Sequence, residues 1–180
     1  MAYHGILVQN SVQAMNIDAL NRSVTSAIDI DNGNCLSLTG LSTNNGEREV
    51  WTAATPTSGT LTDLWMAYEP EVVLTVSGDK QYKGINPDIR DFYNIAGDVF
   101  SAFKPQKGDI LLLTGDALGG TKGTNTYVIA TNGSVKLTWG ASAVSGLSLK
   151  LLETTYISIA DGNIGTQRTT AYRFVVEATA

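Results

Sequence analysis

Short apolar runs, many of them with polar residues at every second position, recur along the chain and are separated by turn residues. The clearest example is the run 127–131, followed by Asn132-Gly133 and then by the run 134–139. Apolar and polar residues alternate in the second run, which predicts a strand with one buried face. Asn-Gly between two such runs is typical of a two-residue type I′ turn, because both residues tolerate a positive φ. The pattern therefore predicts a β-hairpin with its turn at Asn132-Gly133.

Similar patterns predict strands elsewhere in the chain. They lie at 26–30, 35–38, 47–53, 64–68, 71–76, 110–114, 147–152, 155–159 and 172–177. Many short strands joined by turns that contain Gly and Asn are typical of sandwiches and barrels. One helix is predicted near 88–96, because Asn86-Pro87-Asp88 is a good start signal and Gly97 an end signal. The expected fold class is therefore all-β, a mainly antiparallel β-barrel or sandwich with one short helix.

The first 25 residues differ from the rest and predict an extended N-terminal arm. An apolar stretch at 6–8 is followed by a polar segment in which Asn residues interrupt any helical spacing. Two interpretations are open: a terminal strand packed on its own domain, or an arm that orders on a neighbouring subunit. Glycines clustered within 115–123 indicate a linker or a flexible loop. We therefore expect an arm at 1–25, a β-rich module at 26–118, and a hairpin-rich part at 119–180 that is either the same domain or a second small one.

Charge is sparse, and this narrows the classes of partner. Charged residues make up 16% of the chain and the formal net charge is −5, whereas roughly a quarter of the residues are charged in ordinary soluble domains. Lys and Arg are scattered without a basic run, which argues against binding to nucleic acid or to anionic lipid. No apolar run approaches the ~20 residues that span a bilayer, and the start lacks the pattern of a signal peptide. We expect a protein made in the cytoplasm that binds neither nucleic acid nor membrane.

Residue types that usually carry catalysis or bind metals are scarce. Cys35 and His4 are the single cysteine and the single histidine, so a Cys–His pair, a Ser-His-Asp triad and a His/Cys metal site all lack partners. The Gly-rich stretch 115–123 has Thr121 where a P-loop needs Lys, and no helix signal follows it. The stretch 29–33 begins like a calcium loop but lacks the late Glu. We expect no catalytic residue, no metal and no cofactor.

Two groups of residues keep a chemical alternative open. The pairs Glu47/Glu49 and Glu69/Glu71 place two carboxylates on one face of a strand, as in a glycoside hydrolase, although exposed surface pairs have the same spacing. Four aromatic residues are either core residues or a surface that stacks on sugars or proteins. They are Trp51, Trp65, Tyr68 and Trp139. A hydrolase and a sugar-binding protein are therefore the alternatives to a purely structural protein.

A series of short motifs between Asp31 and about Leu118 points to a family. They are Asp31-Asn32-Gly33-Asn34, Gly46-Glu47-Arg48-Glu49-Val50-Trp51, the Ser/Thr-rich stretch 56–64, Glu69-Pro70-Glu71-Val72, Tyr82-Lys83-Gly84-Ile85-Asn86-Pro87, Ala96-Gly97-Asp98-Val99 and Lys107-Gly108-Asp109-Ile110. In these motifs the segment resembles a family of small head-associated proteins of tailed bacteriophages, which are encoded among the capsid genes. The resemblance covers about half of the chain, and the region after Leu118 lies outside it.

The resemblance implies a capsid decoration, or cement, protein. Such a structural virion protein binds at contacts between major capsid subunits and stabilises the shell. It is made in the host cytoplasm, lies on the capsid surface, and is expected to be a homo-oligomer, with a trimer favoured. We expect the N-terminal arm to be the tether, with Tyr3, Ile6, Leu7 and Val8 as the capsid contacts. The alternative is a head-fibre or tail component that binds a host receptor or a glycan through exposed aromatic residues.

Overall fold

The computed structural model describes residues 3–14, 18–43, 49–71, 74–77, 80–83, 89–160 and 165–179. The strands are β1 (Asn21–Ser26), β2 (Cys35–Leu41), β3 (Val50–Ala54), β4 (Trp65–Tyr68), β5 (Leu74–Ser77), β6 (Lys80–Lys83), β7 (Val99–Phe103), β8 (Ile110–Thr114), β9 (Leu118–Gly119), β10 (Tyr127–Ile129), β11 (Leu137–Gly140), β12 (Ser148–Ala160) and β13 (Thr166–Ala178). Short 3₁₀ turns lie at Gln9–Ser11, Asp18–Leu20, Ile89–Asp91 and Gly115–Ala117. The described part of the chain is mostly strand, which confirms the expected all-β fold class.

The first half of the chain forms a closed barrel with the strand order β1-β3-β2-β4-β7, and β7 pairs back to β1. The pair β1–β3 is parallel, whereas the other pairs of the barrel are antiparallel. Val24, Leu36 and Phe100 belong to a buried apolar cluster that fills the interior. A small barrel needs such filling, because alternate residues of every strand point inward. A separate two-stranded sheet, β5–β6, lies between β4 and β7 in the chain.

The second half of the chain forms a six-stranded sheet with the order β8-β13-β12-β10-β11-β9. β12 and β13, of 13 residues each, form a long antiparallel hairpin at its centre. The two strands predicted at 147–152 and 155–159 are one strand, β12. The register shifts between Leu151 and Glu153, as at a β-bulge, and the pairing with β13 then continues. A bulge bends a strand without ending it, so one strand occupies the whole stretch.

The barrel and the six-stranded sheet share a hydrophobic core. Met66 and Phe103 from the barrel belong to the same buried cluster as Leu111 and Phe174 from the sheet. Burial of apolar surface contributes roughly 25 cal/mol per Å², so this cluster holds the two layers together. The boundary expected after residue 118 falls inside β9, and the chain passes from the barrel to the sheet between β7 and β8. The part expected at 119–180 therefore shares its core with the barrel.

The N-terminal segment, residues 3–14, packs on its own domain. Leu7 forms an antiparallel bridge with Leu113, so the segment lies along the free side of β8. The sequence left two interpretations open, and the structure matches the one in which the terminal segment packs on its own domain. Residues 21–25, the end of the expected arm, form most of β1 instead.

The helix expected near 88–96 is a single 3₁₀ turn, Ile89–Asp91, and the expected start signal at 86–88 lies outside the described residues. The turn ends early because the chain is drawn into a bridge. The backbone N–H of Asn94 donates to the carbonyl of Ile30 at 2.8 Å, and its side-chain Nδ2 donates to the same oxygen at 2.9 Å. The long-range bridge therefore prevails over the local helical pattern.

The hairpin predicted over 127–139 is present as β10 and β11, but its turn is not the expected one. Ile129 pairs with Thr138, so the connection is much longer than two residues. The N–H of Gly133 donates to the carbonyl of Pro56, in the loop after β3, at 2.9 Å. The N–H of Ser134 donates to the carbonyl of Thr131 at 3.3 Å, so the chain does turn at Asn132-Gly133. Gly133 has a positive φ of 75° but Asn132 does not, so the turn is not of the expected type I′, and it lies beyond the last paired residues of the hairpin.

Candidate functional site

The β12–β13 hairpin extends beyond the rest of its sheet. β10 pairs with β12 at residues 148–150, and β8 pairs with β13 at residues 171–175. Further along, residues 156–160 of β12 pair with residues 166–170 of β13. Within the described ranges, no further strand pairs with either of these two stretches. We call them the ribbon.

One face of the ribbon carries an exposed aromatic ring beneath a guanidinium group. Tyr156 is 52% exposed, and Cζ of Arg168 lies 3.8 Å from the centre of its ring. Leu152, 51% exposed, lies at the bulge that precedes the ribbon. Tyr and Arg are enriched among the residues that dominate binding energies. The sequence placed Tyr156 in a strand but could not show its exposure, which depends on where the neighbouring strands stop.

The opposite face of the ribbon lines a groove of about 660 Å³. Ile157 and Ile159 lie on this face, because successive side chains of a strand point in opposite directions. Ile6 and Val8 from the N-terminal segment, together with Ile89, complete the apolar lining. The polar side chains of the lining belong to Gln9, Asn10, Ser11 and Glu71, and Ser158 lies at the groove between the two isoleucines of β12. A mainly apolar concave surface with a few polar groups is the usual form of a ligand site.

Glu71 is half-buried at this groove, and burial raises the pKa of its carboxyl above the ordinary value of 4.5. Asn32 Nδ2 donates to Glu71 Oε1 at 3.4 Å, a long hydrogen bond that opposes the rise in pKa. Glu69 is used differently, because its Oε2 accepts the backbone N–H of Ser101 in β7 at 2.9 Å. The two carboxylates of this pair therefore have different partners. In the other predicted pair, Glu47 lies outside the described residues.

Asp31 joins the N-terminal segment to the rest of the fold. His4 Nδ1 lies 2.7 Å from Asp31 Oδ1, and the N–H of Gly5 donates to Oδ2 at 3.1 Å. Lys136, which precedes β11, places Nζ 3.5 Å from the same Oδ2. The ring of His4 also stacks on Tyr93, with ring centres 4.7 Å apart. His4 is therefore held in place, and Asp31 anchors the segment.

The four expected capsid contacts divide into buried and accessible residues. Leu7 is 0% exposed in the core, and Ile6 is 2% exposed at the wall of the groove, so neither offers appreciable side-chain surface to a partner in this fold. This corrects the expectation for these two residues. Val8 lines the groove, and Tyr3 is half-exposed with the guanidinium of Arg90 3.9 Å from its ring centre. Of the four, Val8 and Tyr3 therefore remain as contact candidates.

The aromatic residues and the cysteine that the sequence singled out lie mainly in the interior. Trp65 and Trp139 are buried, and Trp51 and Tyr68 are half-buried. Burial raises the pKa of the Cys35 thiol to about 12, which keeps it protonated at physiological pH. These positions favour core packing over a sugar-stacking surface or a nucleophilic thiol.

Comparison with protein-family models, with curated proteins and with solved structures finds no match for this chain. Among the described residues, no group of three or more His, Cys, Asp or Glu side chains is placed to hold a metal ion. The helical elements in that part of the chain are short 3₁₀ turns, and none is long and apolar enough to cross a membrane. The ribbon, the groove and the Asp31 anchor are therefore the features on which a function can be argued.

Proposed function

We propose that this protein is a structural virion protein that decorates a bacteriophage capsid and stabilises it by binding at contacts between major capsid subunits. The observation that carries this proposal is the ribbon, which projects beyond its sheet and presents Tyr156 with Arg168 on an exposed face. The opposite face of the ribbon lies toward the rest of the chain, where Ile159 is 4% exposed and Arg90 donates to Gln167 Oε1 at 2.6 Å, so the exposed face is the one open to a neighbouring subunit. The resemblance of the segment 31–118 to phage head-associated proteins supports placing that subunit in a capsid.

The ribbon offers two kinds of contact to a capsid subunit. Arg168 is already stacked on Tyr156, so less side-chain entropy is lost when the pair is buried in an interface. The two edges of the ribbon, which carry no further strand among the described residues, allow a strand of a neighbour to extend the ladder. Both kinds of contact are adhesive and need no bond-making chemistry.

Repetition on the shell would strengthen each modest contact. The partner in this proposal is the major capsid protein, and the decorating species is a homo-oligomer, with a trimer favoured. A trimer carries one ribbon per subunit, so once the first is bound the others meet their sites at high effective concentration. Linked binding of this kind exceeds the single affinity by ~10²–10⁴. The sparse charge of the chain suits such an interface, since charged side chains are costly to desolvate.

Co-sedimentation of the purified protein with empty shells of the source phage tests the proposal. We expect the wild-type protein to pellet with the shells and to raise the temperature at which they disrupt. The double substitution Tyr156→Ala with Arg168→Ala removes the exposed stack and should weaken binding by about tenfold or more. Leu41→Ala, which truncates a 59% exposed residue of the barrel, is the matched control and should bind like the wild type. Shells that neither bind nor gain stability would refute the decoration role, and full binding by the double variant would refute the ribbon as the contact.

A head-fibre or tail component that binds a host receptor or a glycan is the second candidate. The exposed ring of Tyr156 is the observation that favours it, because aromatic faces stack on apolar surfaces of ligands. A glycan array probed with the wild type and with Tyr156→Ala separates the candidates. A sugar signal that the substitution abolishes, together with no shell binding, would favour the second candidate over the first.

A further inference from the structure

The groove beneath the ribbon has the size and lining of a binding site of its own. Its volume of about 660 Å³ lies within the ~300–1,000 Å³ typical of ligand pockets. It lies on the opposite face of the ribbon from Tyr156, because Ile157 and Ile159 point the other way along β12. The ribbon therefore has a second surface that the proposed capsid contact does not use.

Glu71 is the charged residue among the described lining side chains. Among the side chains that the structure describes, no Lys or Arg forms an ion pair with it. Its hydrogen bond from Asn32, at 3.4 Å, is long, and the Asn32 amide also donates to the carbonyl of Glu69 at 2.9 Å. A carboxylate that is half removed from water without a cation carries an uncompensated solvation cost. A cation that reaches the groove would recover part of that cost.

We propose that the groove binds an alkylammonium group, namely a lysine side chain in an extended segment of the capsid partner, with Glu71 as its counter-ion. The four-carbon stem of lysine lies along Val8 and Ile157, which are partly exposed apolar residues of the lining, and the ammonium pairs with the carboxylate. Lysine suits this site because it buries its methylene stem on apolar surface and keeps the charged end at a polar group. The assignment to a capsid segment rests on the proposed function, whereas the chemistry of the site does not.

The test uses the full chain labelled with ¹⁵N and two short peptides. One is acetyl-Leu-Lys-Leu-amide, and the other carries norleucine in place of lysine, which keeps the apolar stem and removes the charge. Titration followed by the amide shifts of Val8, Ile157 and Ile159 gives a dissociation constant for each peptide. We expect the lysine peptide to bind about five- to tenfold more tightly, and Glu71→Gln to abolish that preference.

Two further variants keep the result interpretable. Glu153→Gln removes an exposed carboxylate that pairs with Arg173 at 3.1 Å and is absent from the groove lining, so the lysine preference should persist. Ile157→Ala shortens the apolar wall and should weaken both peptides alike. Equal affinities for the two peptides, a preference that survives Glu71→Gln, or no shifts with either peptide at millimolar concentration would each overturn the inference.

The peptide titration needs no shells, so its outcome is independent of the decoration assay. A lysine preference without any shell binding would retain the groove as a cation site and reject the capsid role. Shell binding through the ribbon without a lysine preference would retain the capsid role and reject the groove as a cation site.

Discussion

Asp31 is the position at which a single substitution tests how the N-terminal segment is held. Asp31→Ala removes the acceptor of the Gly5 N–H, at 3.1 Å, and the partner of His4 Nδ1, at 2.7 Å. It also removes a carboxylate oxygen that lies 3.5 Å from Nζ of Lys136. The segment would then keep its apolar contacts along β8 and lose its polar anchor.

The expected cost is about 3 kcal/mol of unfolding free energy. The Gly5 N–H is buried, and leaving a buried donor without an acceptor costs about 2 kcal/mol. The His4 side chain is 34% exposed, so its bond adds about 1 kcal/mol after solvent screening. Lys136, 36% exposed and 3.5 Å away, adds little. In a chain of this size a loss of about 3 kcal/mol lowers Tm by about 6–12 °C.

Urea denaturation measures the free energy, and hydrogen exchange shows where it is lost. The amides of Ile6 and Val8, which donate to Thr114 Oγ1 and to the carbonyl of Leu112, should exchange faster in Asp31→Ala than in the wild type. Asp29→Ala is the control, because its exposed carboxylate accepts one backbone N–H at 2.9 Å and its loss should cost less than about 1 kcal/mol.

Asp31→Asn separates hydrogen bonding from charge. It keeps an amide oxygen that can accept the Gly5 N–H, so the expected loss is about half that of the alanine variant. An alanine variant no less stable than the Asp29→Ala control, with unchanged exchange at residues 6 and 8, would falsify the anchor role of Asp31.

Three further predictions follow from buried positions. Gly5→Ala would place Cβ 2.5 Å from the Cα of Ala117, so it should lower the free energy of unfolding by about 2 kcal/mol or more. Gly59→Ala is the control and should be nearly neutral, because open space surrounds that glycine. Equal melting temperatures for the two variants would contradict the close approach at Gly5. Since the pKa of Cys35 is raised to about 12, a thiol reagent at pH 8 should label it in urea but not in the native protein, and rapid native labelling would contradict its burial. Burial raises the pKa of Glu71 above 4.5, so the folded state holds the proton more tightly than the unfolded state does. The stability gained from this protonation is fully present below pH 4.5 and is lost as the pH rises through the raised pKa. Glu71→Gln should therefore be more stable than the wild type to chemical denaturation at pH 7, and its advantage should be smaller near pH 4. A variant that is less stable than the wild type at pH 7 would contradict the solvation cost assigned to the Glu71 carboxylate.

The strands that the sequence predicted well are those that carry apolar residues, either at alternate positions, as in 35–38, or in a continuous run, as in 110–114. The stretch 35–38 lies in β2, and the stretch 110–114 is β8. The strand expected at 26–30 was misplaced, because β1 spans Asn21–Ser26. Its buried positions, Val24 and Ser26, include a single apolar residue, so no apolar alternation marks it. Local patterns therefore predict strands only where the buried face is apolar.

The candidate sites were less accessible to sequence reasoning. The apolar stretch that holds Ile6 and Leu7 was compatible with burial in this chain or on a neighbour, and the free side of β8 decided between them. The sequence did not distinguish Glu71 from an exposed surface carboxylate, because the ribbon and the N-terminal segment that line the groove with it are distant in the chain. The sequence predicted a strand around Tyr156, and the exposure of its ring follows from β8 and β10 ending before that position.

The sequence by itself determined the all-β class, because strand periodicity is a property of a few neighbouring residues. Only the tertiary structure decided that the barrel closes through β7, that the Gly133 connection opens toward the barrel, and that a ribbon stands beyond its sheet over a groove. The physical reason is that pairing, closure and strand overhang depend on contacts between residues far apart in the chain, and no local pattern records which partners will meet.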